Sequence, residues 1–382
     1  MTFNVTATAA VGAARCGILQ TAHGTVPTPM FMPVGTQAAV KTVAPWELEQ
    51  LGAAVILGNT YHLTLRPGVE IVRAAGGLHR FMGWPHSILT DSGGYQVFSL
   101  SRLRRVTEAG VTFQSHLDGS TLFLGPREAM AVQCDLGSDI AMVFDECTPY
   151  PCSHAAAAAS LELTLKWTAI CRDQDRAPGQ QVFGIVQGGL HRDLRERAAA
   201  VVVALDFDGY ALGGLSVGEP EAEMLRVLDW TVPILPRERP RYLMGVGTPL
   251  QLVEAVARGV DLFDCVLPTR LGRHGTVYTA QGTVPVKAAR YKSDQRPLED
   301  GCECPTCRRF TRAYLRHLLN VNEMLGFRLL TLHNLHYYLT LMRRIREHLQ
   351  AGTFAELRAE LYRQSDRSLS ADITDSALPQ SL

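Results

Sequence analysis

The chain has no run of about 18 apolar residues, the length a helix needs to cross a bilayer. Its first residues, M-T-F-N-V-T-A-T, lack the basic and apolar regions of a secretory signal. No membrane span is therefore expected, and the cytoplasm is the expected location. Net charge is absent too. The 37 Lys and Arg are matched by 37 Asp and Glu, which by itself argues against a general nucleic-acid binder. There is no low-complexity tract and no strong internal repeat. No G-x-G-x-x-G follows an early strand, so the dinucleotide-binding fingerprint is missing. An even cysteine count is lacking as well. The odd cysteines, mostly scattered in apolar stretches, read as reduced thiols and not as a secreted disulfide framework.

What is present begins with 46% hydrophobic residues in a chain of 382. That supports a large core and excludes wholesale disorder. The length is great for one ordinary domain but fits one barrel with insertions. The cysteines are Cys16, Cys134, Cys147, Cys152, Cys171, Cys265, Cys302, Cys304 and Cys307. The last three read C-E-C-P-T-C, a C-x-C-x-x-C spacing. Three thiolates so close cannot all form disulfides without geometric strain. They can converge on one tetrahedral ion, and Zn²⁺ is the usual choice for a thiolate-rich site. His317, His333 and His336 follow within reach as a fourth ligand. Three thiolates and one His leave no open position, so the zinc is read as structural.

Charge is unevenly spread. Residues 1–264 carry about 20 Lys and Arg against about 26 Asp and Glu. Residues 265–350 carry about 14 against about 6. The C-terminal third can thus offer an electrostatic footprint for phosphates, although a solvated basic surface explains the same numbers.

Short apolar runs alternate with helical patterns, as in βα units. Candidate strands are 53–57, 87–89, 139–144, 182–186, 209–212, 241–244 and 260–263. Candidate helices are 126–133, 155–172, 193–204, 221–235 and 249–257. Several runs end in a polar residue or a glycine pair: Asn59, Asp91, Asp145, Gln187, Gly213 with Gly214, and Asp264. In a (β/α)8 barrel, all these positions face the catalytic mouth. A TIM barrel is therefore expected, with a doubly wound sheet as the alternative. Residues 1–284 form the barrel in this reading, and 285–332 form a zinc-binding insertion near the C-terminal end. Residues 333–382 supply the final barrel helix and a tail, the amphipathic pattern running over 331–349 and the end, 372–382, fraying.

Asp91 and Asp264 are the leading candidates for chemistry. Each closes an apolar strand, and two carboxylates on one barrel face can divide nucleophile and proton-transfer duties. Most strand-end Asp residues, however, cap helices or form ion pairs. Asp145 can accept two parallel N–H donors of the kind a guanine edge offers. Gln187 can donate to a carbonyl and accept from an amine. Gly213, Gly214 and Leu215 could offer backbone groups, and Tyr95 or Met244 could form a stacking wall.

Longer motifs go further. FMPVGTQAAVK, ILGNTYHLTLRPG, LTDSGGYQVFSL, SHLDGS, LGSDIAMVFDECTPYP, GIVQGG, GYALGGLSVGE, YLMGVGTP and GVDLFDCVLPTR stand in order, followed by the cysteine cluster. Over about Phe3 to Arg363 the chain resembles the bacterial tRNA-guanine transglycosylase (queuine tRNA-ribosyltransferase) family. The resemblance implies a (β/α)8 barrel with a zinc insertion. It implies exchange of the wobble guanine in tRNAs with GUN anticodons (Asp, Asn, His, Tyr) for 7-aminomethyl-7-deazaguanine, in queuosine biosynthesis. Asp264 would be the nucleophile that attacks the ribose C1′, giving a covalent intermediate. Asp91 would be the proton acceptor that handles the ring proton of the departing and entering bases.

By the same resemblance, Asp145, Gln187 and Gly214 would read the base edge. Leu215 would meet the aminomethyl group through its backbone, with Glu219 behind it. Tyr95 and Met244 would sandwich the ring, and Cys147 fits the bacterial pocket. One RNA-contacting stretch would be Gly245, Val246, Gly247, Thr248, Pro249, Leu250 and Gln251. The other would be Thr269, Arg270, Leu271, Gly272 and Arg273. Cys302, Cys304, Cys307 and His333 would hold zinc, and the protein would work as a homodimer. His274 stands where Asn is common, Ser216 where Ala is often seen and Thr248 where a Lys can occur, which touches tRNA contacts and fine substrate preference and not the nucleophile. Two other readings are a non-catalytic RNA-binding subunit and a barrel hydrolase with an incidental zinc module.

Overall fold

The computed structural model describes residues 2–100 and 104–364. The expected frayed end, 372–382, lies outside them. Nine parallel strand segments form one sheet, with Met30–Met32 at one end of the order and Val34–Gly35 at the other. These two are halves of one stretch divided by Pro33, which has no N–H for a ladder. Met30–Met32 pairs with Leu262–Asp264, and Val34–Gly35 pairs with Val55–Asn59. The sheet therefore closes on itself as an eight-stranded parallel barrel.

The remaining staves are Val55–Asn59, Ser87–Asp91, Ile140–Met142, Gln181–Val186, Gly209–Leu212, Arg241–Leu243 and Leu262–Asp264. Side chains pack inside the barrel and helices cover its outside, so both faces of each strand are dry. That is why the strands read as continuous apolar runs without alternation. All of Gln181–Val186 is buried, for instance. Each fully buried Leu, Val or Phe contributes about 1.5–3 kcal/mol relative to exposure.

Local chemistry starts and stops the outer helices. Ser153 accepts the Ala156 N–H at the start of His154–Arg172. Thr248 and Gln251 form a reciprocal capping box at the start of Pro249–Ala257. Pro126–Leu136 opens on proline and closes on the left-handed Gly137. Arg192–Ala204 matches its expectation, while the expected 221–235 helix is Glu221–Thr231 followed by a 3-10 turn, Val232–Ile234.

An antiparallel sheet of Phe3–Thr8, Arg15–Thr21 and Gly24–Thr28 covers the N-terminal end of the barrel. Arg15 pairs with the buried Asp261 at 2.6 Å, just before the last stave. The stacked rings of His23 and His79 both bond Asp139, just before Ile140–Met142, at 2.9 and 3.0 Å. With that end sealed, the opposite end is the open mouth.

The insertion has its own small core of Val277, Val286, Leu298, Leu315, Leu318, Leu319, Leu329 and Leu330. The helix expected over 331–349 as the last one corrects that expectation twice: it spans Met324–Gln350, so the boundary drawn at residue 332 falls inside a continuous helix, and a further helix over 354–364 follows it. The longer helix divides its faces between two cores. Its first turns, with Leu329 and Leu330, fill the insertion's core. Its later face, with Leu335, Tyr338, Met342 and Ile345, fills the barrel's core. The insertion core also takes Val277 from the hairpin Thr276–Thr279 and Gly282–Pro285. No described helix is long and apolar enough to cross a membrane.

Candidate active site

Every polar strand end singled out in the sequence lies at the mouth, because the staves are parallel and in register. Asn59 sits opposite Asp91 on the neighbouring stave. Asn59 Nδ2 donates to Asp91 Oδ2 at 2.7 Å, Gln96 Nε2 donates to the same oxygen at 3.1 Å, and the Thr60 N–H donates to Oδ1 at 3.1 Å. Burial pushes the Asp91 carboxyl up to about 7; the Thr60 N–H opposes this, and the nearby Asp264 charge reinforces it. The residue keeps a partly open surface on the cleft while protein surrounds its carboxyl.

Asp264 ends the last stave. Its Oδ1 accepts the Tyr242 O–H at 2.6 Å and the Gly245 N–H at 2.8 Å. Burial raises its pKa also, and the Tyr242 and Gly245 donors work against the rise. Tyr242 itself is held far above its ordinary range by burial and by Asp264, so it remains a donor. The two carboxylates are thus close enough to repel but differently served. The two therefore titrate as a coupled pair, both raised by burial, with Asp91 raised to about 7.

On the adjacent wall, Gln187 Nε2 donates to Asp145 Oδ2 at 2.7 Å, and burial lifts Asp145 to about 6. Gly214 has φ +65, and a Cβ there would overlap the Gln187 amide, so only glycine lets the two stave ends meet. Glu219 accepts the N–H groups of Ser216 and Val217, the latter at 2.9 Å. In a trans peptide the carbonyl opposes the N–H, so the Leu215 C=O points away from Glu219. Cys147 sits beside Asp145, and burial raises its thiol to about 12. Cys265 is likewise raised to about 12 by burial. Neither is a thiolate nucleophile near neutral pH. Tyr95, on the first turn of Gly94–Leu100, is 53% exposed, and Met244, directly after Arg241–Leu243, is half-buried.

The two suspected RNA stretches flank Asp264. In the first, Gly245 is exposed, Val246 and Gly247 are buried, and Pro249 and Leu250 are half-buried; Thr248 and Gln251 spend their side chains on the capping box. In the second, part of the helix Leu267–His274, Arg270 is exposed, Leu271 half-buried, and Thr269 and Gly272 buried. Arg273 is half-buried, with Nε on the Thr269 carbonyl at 3.1 Å.

Cys302, Cys304, Cys307 and His333 converge with their ligand atoms within 4.8 Å of one another. His333 Nδ1 lies 3.8, 3.4 and 3.4 Å from the three sulfurs in turn. A tetrahedral zinc ion would separate such S and N atoms by about 3.5 Å. His333 Nε2 donates to the Tyr278 carbonyl at 2.7 Å, which fixes the tautomer and frees Nδ1 for a metal. His336 Nδ1 lies 3.8 Å from the Cys302 sulfur but reaches no other thiol of the cluster. The four residues are arranged to hold a metal ion, and the donor set is consistent with zinc.

The structure adds residues that sequence reasoning missed. Gln96 and Tyr242 each touch a carboxylate of the pair. Arg195 is fully buried and donates to the Gly189, Val186 and Gly213 carbonyls at 2.7, 2.8 and 2.9 Å. It thereby ties the Gln187 and Gly214 loops together. The one local signal was a charged residue on an otherwise apolar helix face, A-A-A-V-V-V preceded by L-R-E-R.

A closed parallel barrel with a carboxylate pair at its mouth and a Cys3His cluster beside it defines a (β/α)8-barrel enzyme with a metal-binding insertion. The sequence model described as queuine tRNA-ribosyltransferase matches residues 10–367. A protein of Pelotomaculum thermopropionicum named queuine tRNA-ribosyltransferase is 58% identical over 92% of this chain and 95% of its own length. Relatives of the same name from Symbiobacterium thermophilum (57%; 91% of this chain, 87% of the relative) and Syntrophobacter fumaroxidans (56%; 95% and 97%) are similar. The chain belongs to the queuine tRNA-ribosyltransferase family.

Proposed function

We propose that this protein replaces the wobble guanine of tRNAs with GUN anticodons by 7-aminomethyl-7-deazaguanine, through double displacement at the ribose C1′. The observation that carries this reading is the carboxylate pair at the mouth, Asp264 held by the Tyr242 and Gly245 donors and Asp91 raised to about 7. Asp264 attacks C1′ and forms the ester bond as the C1′–N9 bond breaks. Asp91 gives its proton to the departing guanine. The entering base then loses its N9 proton to Asp91 and attacks C1′ from the opposite side to Asp264, which leaves as carboxylate. Two inversions restore the original configuration, and the protons balance over the cycle.

Asp145 and Gln187 suit the edge of a purine, the Leu215 carbonyl suits an aminomethyl ammonium, and Cys147 lines the same wall. The exposed Tyr95 suits stacking on a flipped base, with Met244 on its other face. The exposed Gly245 and Arg270 border the nucleophile where flanking nucleotides would lie. Zinc at the Cys3His cluster would be structural, with no open position for substrate. Trp46, Val321, Met324 and Leu325 are exposed, and the 2.6 Å Arg328–Glu47 ion pair sets the segments that carry them side by side. That exposed apolar patch supports a homodimer in which a second copy covers it. A tRNA substrate places the work in the cytoplasm.

The test is incubation with radiolabelled guanine and unmodified GUN-anticodon tRNA, with and without the aminomethyl base. Label enters the tRNA, and the competitor suppresses it. No label from folded protein would favour a non-catalytic RNA binder, and free guanine released without an acceptor would favour a hydrolase.

The pH dependence follows from the pair. Adduct formation needs Asp264 ionised and Asp91 protonated. The rate constant kcat/KM for tRNA therefore rises from the acid side and falls as pH climbs through about 7, where Asp91 loses its proton. In Asp91→Asn the alkaline limb vanishes and the plateau drops. A wild-type profile flat from pH 6 to 9 would remove Asp91 from the role.

A further inference from the structure

We infer that the helix Met324–Gln350 positions the Asp264 carboxylate, with Tyr338 and Asn334 as its positioning residues. The inference rests on the reading of Asp264 as nucleophile.

Asp264 is held by two donors, and one of them, the Gly245 N–H, belongs to the loop that follows Arg241–Leu243. That loop has a buried hydrogen-bond anchor two residues on. The Tyr338 O–H donates to the Gly247 carbonyl, and Tyr338 has no exposed surface. Gly247 is also pressed against the residue after the nucleophile: a Cβ on it would stand 2.7 Å from the Cys265 sulfur. The loop is thus trapped between Tyr338 and Cys265, and its N–H reaches Asp264 from a fixed place.

The other flank of Asp264 is held by the same helix. Asn334 Nδ2 donates to the Pro268 carbonyl at 2.9 Å and to the Thr276 carbonyl at 3.1 Å. Helix Leu267–His274 comes so close that a Cβ on Gly272 would lie 2.8 Å from the Thr331 nitrogen. The loop that donates to the nucleophile and the helix that follows it therefore both take their position from one surface.

Tyr278 locks that surface in register. Its carbonyl accepts from His333 at 2.7 Å, its N–H donates to Asn334 Oδ1 at 2.9 Å, and its ring meets the Tyr338 ring edge-on with centroids 5.3 Å apart. Three residues of the helix thus read one residue of the hairpin. His333 is one of the four metal-type ligands, so the cluster's geometry is conveyed to Gly247 through two hydrogen bonds and the edge-on contact between the Tyr278 and Tyr338 rings. Such a path is stiff because close-packed side chains have little room to shift. A carboxylate that must meet C1′ in line has little tolerance, and an ångström of misplacement costs on the order of 10²-fold.

The test is Tyr338→Phe, which keeps the ring and removes only the donor. Three quantities are read: the single-turnover rate of RNA–protein adduct formation, backbone hydrogen exchange over residues 245–248, and affinity for the free aminomethyl base. Adduct formation is expected to slow roughly tenfold. Exchange at the loop rises, while base affinity and metal content stay at wild-type values. An unchanged adduct rate with unchanged exchange would overturn the inference. So would parallel losses of adduct rate, base affinity and metal content, the mark of a merely structural residue. Asp264→Asn measured alongside separates the two levels. If it still forms the adduct, the nucleophile assignment has failed; if it does not and Tyr338→Phe is normal, only the positioning has failed.

Discussion

Asp264→Asn leaves a folded protein that traps no RNA and exchanges base at a rate lower on the order of 10⁴-fold or more. Asn is nearly isosteric, and its amide oxygen can still accept from Tyr242 and from the Gly245 N–H, as Asp264 Oδ1 does at 2.6 and 2.8 Å. Folding and metal content should therefore be untouched. What disappears is the negative oxygen that bonds C1′, and no other group at the mouth can replace it. Asp91, raised to about 7, is partly protonated near neutral pH and lies on a different stave from Asp264, and the Cys147 and Cys265 thiols are raised to about 12. The measurement is denaturing gel electrophoresis of protein incubated with labelled tRNA, together with label exchange. A slow-migrating adduct in Asp264→Asn, or exchange within tenfold of wild type, would assign the nucleophile elsewhere.

Removing the metal is expected to unfold the insertion and loosen the helix Met324–Gln350. Cys304 and His333 are wholly buried, and without an ion the cluster places three thiols and an imidazole together with no compensating charge. The insertion's own core is a handful of residues, too small to hold the unit alone. Structural zinc sites have apparent binding free energies of about 10–16 kcal/mol, so the loss is large beside ordinary domain stability. Cys304→Ser, or exhaustive chelation, should lower Tm by roughly 5–10 °C and open 285–330 to proteolysis. Calorimetry and limited digestion check this, with metal content counted in parallel. Unchanged stability after complete metal removal would leave the cluster without a structural role.

The barrel was legible because its strands are dry on both faces and so stand out as apolar runs. The carboxylate pair was legible because each ends such a run. The first stave escaped notice because Pro33 splits it into segments of three and two residues, too short to show a pattern. The N-terminal cap escaped because Phe3–Thr8 alternates between buried and exposed positions on an edge no motif marks. The start of the helix Met324–Gln350 was hidden by Gly326, which reads as a breaker but is buried against Leu318. Gln96, Tyr242 and Tyr338 were beyond local reading for a different reason. Each acts through one hydrogen bond to a partner set by the closure of the barrel, and no spacing in the chain announces it. His333 could be preferred to His336 only by resemblance; the geometry adds the reason, since its ring alone is braced by the Tyr278 carbonyl.

The helix Met324–Gln350 serves two cores at once, and this limits how the gene can change in length. One residue added after Leu330 would turn everything beyond it by about 100°. Either Leu329 and Leu330 would leave the insertion, or Leu335, Tyr338 and Met342 would leave the barrel. Insertions and deletions are tolerable in exposed turns such as the one at Gly352. Between Leu330 and Tyr338 they are not. The metal-binding unit therefore cannot be excised, swapped or lengthened as a cassette, because its last turns and the barrel's closing helix are the same piece of chain.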